Sequence, residues 1–320
     1  MTSSAILFLI FNRPELTARV FDAVRQARPP RLYVAADGPR EGMDEAARCA
    51  EARRIATTID WPCELHMLFR DTNLGCRHAV SDAIDWFFDF ETEGIILEDD
   101  CLPAASFFLY CDDLLGRYRD DDRVMSICGS NTLEPPPGRH PSYFFSRHCR
   151  VWGWATWARA WRCYDVDMAG WPASRDAGLL RDWSSGERRF ERYWTGMFDR
   201  TARGEIDTWD YQWMFASWAH GGLAIRPWRN MISNIGFGAD ATHTLDPFND
   251  HADADIHEMP FPLVHPAEVA RDVAADREIQ AVQFAKPMRR WHLRRRVIGK
   301  IARMRKAARR RRIERDAGNA

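Results

Sequence analysis

The first hundred residues alternate apolar runs too short for anything but strands with longer, polar stretches that suit helices. The runs are residues 5–11, 32–36, 64–69 and 94–97; the helix-compatible stretches between them are residues 14–26, 44–58 and 77–88. Pro14 opens the first of these, where its missing N–H costs nothing in a helix's first turn. This βαβαβαβ order implies an α/β domain with a mainly parallel sheet and helices on both faces. Ligands of such sheets bind beyond the carboxyl ends of the strands. Each run here stops at a polar cluster: Asn12-Arg13-Pro14, Asp37-Gly38-Pro39-Arg40, Arg70 to Gly75, and Glu98-Asp99-Asp100. All four clusters are therefore expected on one edge of the sheet.

Beyond residue 100 the pattern loosens. A helix is expected over residues 104–118, a strand over 124–128, helices over 188–201 and 210–219, and a strand over 223–225. Tryptophan is dense from 152 to 228, and most of these rings are expected in the core, because aromatic side chains dominate core packing. Residues 234–265 read as a long Gly-, Asp-, His- and Pro-rich loop, a length that often belongs to a functional lid. No run approaches the roughly 18–20 apolar residues of a membrane helix. Residues 5–11 lack the basic flank and cleavage site of a signal peptide, so they read as a strand and the expected location is cytoplasmic. The eight cysteines form no CxxC pair and no zinc-spaced cluster with histidine.

Charge divides the chain in two. Residues 1–285 hold 30 Arg, no Lys and 44 Asp or Glu, a charge of −14; residues 286–320 hold 15 Lys or Arg and two acids, a charge of +13. In that tail Trp291, Leu293, Val297, Ile298, Ile301, Met304 and Ala308 recur near helical spacing, as in an amphipathic helix. It can pack on the body, or lie on an anionic membrane surface, which would make the protein peripheral at the inner face of the membrane. A third reading is nonspecific contact with nucleic acid; no specific nucleic-acid partner is expected.

Three adjacent carboxylates at a strand end repel one another, and water, counter-ions or a bound cation must offset the repulsion. Oxygen ligands without Cys or His suit Mg²⁺ or Mn²⁺. Asp37-Gly38 is an ordinary turn dipeptide or a carboxylate facing a nucleotide. Asn73-Leu74-Gly75 with Arg77 is a helix start, or a set of backbone N–H groups and a guanidinium facing a diphosphate. Asp210 can cap the helix that follows it, and His243 can be a solvated loop residue.

Taken together, FNRP (11–14), ADG (36–38), NLG (73–75) with Arg77 and ILEDD (96–100) resemble, in order and spacing, glycosyltransferases of the GT-A fold. The triplet resembles the EDD form of their DxD motif, found in the N-acetylglucosaminyltransferase I group and bacterial family 2-like relatives. Thr208 to Met214 resembles the WDDWM-like segment that supplies the base in that group, with Tyr211-Gln212 where the family has one Asp. GGLAIRP (221–227) resembles the strand that follows, and Asn234 to Gly238 with Thr242-His243 the loop that closes over the donor.

The resemblance implies a GT-A, Rossmann-like sheet whose residues 1–128 bind a nucleotide-sugar donor. Residues 129–265 would then be the acceptor-binding and catalytic half, and 266–320 a C-terminal extension with the basic helix. Asp100 would hold Mn²⁺ or Mg²⁺. Phe11, Asn12, Arg13, Asp37, Asn73, Gly75, Arg77, Glu98, Asp99 and His243 would contact the donor, which the group tilts toward a UDP-sugar. Asp210, with Asp207 as its rival, would be the base in an inverting transfer to a saccharide or lipid-linked acceptor. Trp152 and Trp154 would line the acceptor groove. A sugar-phosphate nucleotidyltransferase, or a non-catalytic carbohydrate- or membrane-binding protein on the same fold, are the alternatives; FNRPE stands where the nucleotidyltransferases carry a Gly-rich basic loop.

Overall fold

The computed structural model describes residues 1–138, 140–184, 186–237 and 254–284. It opens with β1 (Ile6–Ile10), α1 (Pro14–Ala27), β2 (Arg31–Ala36), α2 (Ala46–Ala56), β3 (Glu64–Phe69), α3 (Gly75–Phe88) and β4 (Glu93–Glu98). This is the expected alternation. It continues with β5 (Cys101–Pro103), α4 (Ser106–Arg117), β6 (Val124–Cys128), β7 (Tyr143–Ser146), β8 (Trp154–Trp157) and α5 (Ala158–Trp161). The remainder is α6 (Trp171–Asp176), α7 (Leu179–Ser184), α8 (Arg188–Ala202), α9 (Asp210–Ala219), β9 (Leu223–Pro227), β10 (Ile232–Asn234) and α10 (Val273–Phe284).

Eight strands form one mixed, mainly parallel sheet in the order β3-β2-β1-β4-β8-β6-β9-β7. β1 pairs in parallel with β2 and β4, and β2 with β3; β8 enters antiparallel between β4 and β6. β1 shows why the first half folds as it does. All five of its residues are buried, Ile6, Phe8 and Ile10 toward one core and Leu7 and Leu9 toward the other. The first core is closed by Val20, Phe21 and Val24 of α1, Ala52 of α2 and Phe107 and Leu114 of α4. The second is closed by Ala83, Ile84 and Phe87 of α3 and Trp213 of α9. A strand covered on both faces must be apolar throughout, which is the Rossmann-like arrangement. Each fully buried aliphatic side chain contributes about 1.5–3 kcal/mol.

The tryptophans are mostly core: Trp154, Trp157, Trp171, Trp194, Trp213 and Trp218 are almost wholly enclosed. Residues Met1–Ile279 form one compact unit, and Gln280–Ala320 a second, of which the last residues of α10 are described. Within the first unit, buried Asp276 accepts from Ser146 Oγ at 2.5 Å and pairs with Arg271 and Arg147. Among the described residues no helix is long and apolar enough to cross a membrane. The basic helix expected from residue 286 lies outside the described residues.

Candidate active site

The carboxyl ends of β1 to β4 open into one cavity of about 390 Å³. Its floor is Leu9, Ile10, Ala35, Ala36 and Leu68; around it stand Phe11, Arg13, Asp37, Asn73, Gly75 and the triplet Glu98-Asp99-Asp100. The four strand-end clusters thus meet on one edge, as parallel register requires. The far wall comes from the second half: Val151, Trp152, Asp207, Thr208, Trp209, Asp210, Asn234 and Gly236.

Glu98 is the last residue of β4, and the chain resumes at Cys101 in β5, which pairs antiparallel with β10. The triplet therefore sits where the backbone leaves the main sheet for a separate ribbon. Asp99 is buried; its Oδ2 accepts from Phe11 N at 3.2 Å and its Oδ1 from Arg13 Nη2. Asp100 Oδ2 accepts from Arg13 Nη1 at 3.0 Å, while Oδ1 meets Cys101 Sγ at 3.4 Å and Asn234 Nδ2 at 3.5 Å. One guanidinium is thus shared between two carboxylates. Burial, and then the charge of Asp100, push Glu98 up to about 8; Asp99 and Asp210 add to the rise and Arg13 opposes it. Burial pushes Asp99 up to about 6 against the pull of Arg13. Arg13 itself is raised: burial works against its charge, and Asp99 and Asp100 more than offset that. The site carries more negative charge than its own cations neutralise.

The first turn of α3 is occupied differently from expectation. Its backbone N–H groups were candidates for facing a diphosphate, but two protein carboxylates take them. Asp37 Oδ1 accepts from Gly38 N and Leu74 N at 2.9 Å, and its Oδ2 from Asn73 Nδ2 at 2.8 Å and Gly75 N at 3.2 Å. Asp207 accepts from Cys76 N at 3.1 Å and Arg77 N at 2.9 Å. Gly75 has φ +79°, and a Cβ there would lie 2.8 Å from Asp207 Oδ2, so both its conformation and its closeness to the carboxylate call for glycine. Asp37 and Asn73 line the cavity but spend their polar atoms clasping the β2 and β3 loops together. The Arg77 side chain turns away to Val166 O at 2.5 Å and to Asp167.

Asn12 also points elsewhere, donating to Glu45 Oε1 at 2.8 Å. Glu45 in turn holds Arg40, whose guanidinium lies 5.6 Å from the centre of the Phe11 ring. Arg40 and Arg70 both line the cavity. Neither was singled out in the sequence as a site residue: Arg40 closes a turn signal, and Arg70 ends a strand. Asn234 and Gly236 belong to the segment that resembles the loop closing over the donor, and Asn234 is the last residue of β10.

Across the cavity, Asp210 is the first residue of α9, with Trp209 at the N-cap position. Its Oδ1 accepts from Thr208 Oγ1 and from Tyr211 N at 3.0 Å. Asp207 and Asp210 both contribute to raising the Cys76 thiol, after burial and Glu98, which puts all these carboxylates around one space. Trp152 lines the cavity and meets Phe237 edge-on at 5.8 Å. Trp154 does not line it. As the first residue of β8, it is completely enclosed, stacked on Trp209 at 5.6 Å and packed against Trp161 and Trp213. With no free ring face, it is a core residue rather than an acceptor platform. His243 lies outside the described residues.

No family model matches the chain, and no curated protein matches it. Among solved structures, the chain is similar to HddC from Yersinia pseudotuberculosis (8% identity, 49% of this chain and 77% of that one, TM-score 0.31). It is also similar to a UDP-glucose pyrophosphorylase complexed with UDP-glucose (10% identity, 41% and 64%, TM-score 0.25). A third is HddC from the same organism complexed with GMP-PN (9% identity, 45% and 60%, TM-score 0.27). The chain spans less than two thirds of the second and third of these. Likenesses of this size carry no statement about function, which rests on the side chains of the cavity.

Proposed function

We propose that the chain is a metal-dependent, inverting glycosyltransferase of the GT-A type. It would move a sugar from a nucleoside-diphosphate donor, a UDP-sugar by the resemblance, to a hydroxyl of a saccharide or lipid-linked acceptor. One observation carries the reading: Asp210 and the triplet Glu98-Asp99-Asp100 line the same cavity from opposite halves of the chain, near enough for the charge of Asp210 to raise Glu98. Such a cavity has one wall for a donor and another for a nucleophile.

An uncompensated set of carboxylates suits a hard divalent cation. Among the described residues no group of three or more His, Cys, Asp and Glu gathers as a chelating cluster. The proposed anchor is therefore a single carboxylate, Asp100, and Mg²⁺ or Mn²⁺ would draw its other ligands from water and substrate oxygens. Bound there, Mn²⁺ or Mg²⁺ would offset the charge of the departing nucleoside diphosphate. Glu98 would face the donor's hydroxyls, Asp99 would hold Arg13 and the Phe11 backbone behind it, and Arg40 and Arg70 would supply further positive charge. Asp210 would take the proton of the acceptor hydroxyl; attack from the face opposite the leaving group gives inversion. Asp207 is the poorer base, because both its oxygens are held by N–H groups of α3. Trp152 offers a ring for the acceptor sugar, and residues 286–320 would hold the enzyme at an anionic membrane surface.

The test is a panel of UDP-, GDP- and dTDP-sugars incubated with the full chain in Mn²⁺ or in EDTA, with the products identified. Metal-dependent release of a nucleoside diphosphate is the expected result. Nucleoside triphosphate and sugar phosphate formed only when pyrophosphate is added would instead mark a nucleotidyltransferase, and no turnover of any donor would mark a binding protein.

A further inference from the structure

The Arg13 guanidinium occupies the place a cation would need. Its two terminal nitrogens reach different carboxylates, Nη1 to Asp100 Oδ2 at 3.0 Å and Nη2 to Asp99 Oδ1. All three side chains are largely enclosed, exposing 16%, 14% and 3% for Arg13, Asp100 and Asp99. The backbone at Arg13 is fixed, because its carbonyl accepts both Thr17 N and Thr17 Oγ1 at 2.9 Å. Only the side chain is left to move. Gly236 lies directly on the pair: a Cβ there would be 2.3 Å from Asp100 Oδ2 and 2.9 Å from Arg13 Nη1. The segment after β10 thus seals the ion pair, and that segment is tied to the triplet by Ile235 N donating to Asp100 O at 2.8 Å.

We propose that Arg13 is the resident counter-ion of the triplet, and that a donor diphosphate must draw it off Asp100 before a divalent cation binds there. Nucleotide and cation then bind as a coupled pair. The inference rests on the reading of Asp100 as the metal anchor. A divalent ion and a guanidinium repel each other and compete for the same carboxylate oxygen, so metal alone must displace an enclosed cation that has nowhere to go. A diphosphate removes that obstacle, since its oxygens match the planar fork of arginine better than a single carboxylate oxygen does. Linkage then requires each ligand to tighten the other by the same factor. Arg13 is by this account a positioning residue: it covers Asp99 and Asp100 and keeps them closed to metal until the donor arrives.

Free Mn²⁺ measured by electron paramagnetic resonance tests this on the full chain, alone and with saturating UDP, GDP or dTDP, with protein-free nucleotide as the blank. Wild type should bind Mn²⁺ weakly alone and at least about tenfold more tightly with one of the nucleotides, within the usual range of coupling between two sites. Arg13→Met should bind Mn²⁺ tightly without nucleotide and gain little from it, and Arg13→Lys should fall between, because an ammonium covers one carboxylate at a time. Wild type binding Mn²⁺ equally well with and without nucleotide overturns the proposal while leaving the metal site standing; that arm needs no variant to fold. Arg13→Met binding Mn²⁺ no better than wild type overturns it too. Mn²⁺ bound by no form under any condition removes the metal site and the proposal with it.

Discussion

Glu98 gives the sharpest test of the electrostatics. In the folded chain its carboxyl is held up to about 8 against an ordinary value of 4.5, chiefly by burial and by the charge of Asp100. Between those two pH values the folded chain keeps a proton that the unfolded chain has released. More protons bound in the folded state means that stability falls as pH rises through this window, the reverse of a salt-bridged carboxylate. At roughly 1.4 kcal/mol per pH unit, a rise from 4.5 to about 8 bounds the loss at several kcal/mol, shared with the neighbouring carboxylates. Asp99, pushed up to about 6, adds to the same trend over a narrower range.

Glu98→Gln keeps the shape and removes the titration. Urea denaturation in EDTA, followed by tryptophan fluorescence between pH 5 and 8.5, should show wild type losing several kcal/mol as pH rises. The variant should lose markedly less, match wild type near pH 5 and exceed it near pH 8.5. Parallel pH profiles for the two proteins would refute the reasoning, because they would mean that Glu98 ionises in the folded chain as readily as in the unfolded one.

Other outcomes follow from the same site. Asp210→Asn should lower kcat by about 10²–10⁴ with donor KM little changed, as expected for loss of a general base. Asp207→Asn should leave turnover near normal and cost roughly 0.3–1 kcal/mol of stability, the value of a charge at a helix N-terminus; the opposite ranking in a steady-state assay would reverse the two roles. Gly38→Ala should destabilise by about 1–3 kcal/mol in thermal unfolding, because its Cβ would fall 2.4–2.7 Å from the backbone of Thr72, which cannot yield as a side chain could. Chelation should abolish transfer and added Mn²⁺ should restore it, read as nucleoside diphosphate released; turnover undiminished in EDTA would take the cation out of the reaction.

What the sequence disclosed and what it hid differ for a physical reason. β3, β6 and α9 match their expected spans because an apolar run or face bounded by turn residues is a local signal. β7 and β8 fall outside the expected elements: each is only four residues long, and they lie in an aromatic-rich stretch where strand and helix look alike. β5 and β10 are three residues each, too short for any period. The strand ends that face the cavity were legible because parallel topology fixes where they point. The partners of those ends were not, since Asp207 binds N–H groups about 130 positions away in the chain. That one hidden contact changes how a diphosphate would be held. A helix N-terminus with free N–H groups would have served as a ready anion cradle, but Asp37 and Asp207 fill the one at α3 with protein carboxylates. Under the proposed function, the donor's charge would then be met by side chains that line the cavity, Arg13, Arg40 and Arg70, and by a cation on Asp100. Since Arg13 already sits on Asp100, the same geometry that closes the helix to phosphate would, on the proposed function, make the exchange of Arg13 between carboxylate and phosphate the step on which donor binding turns.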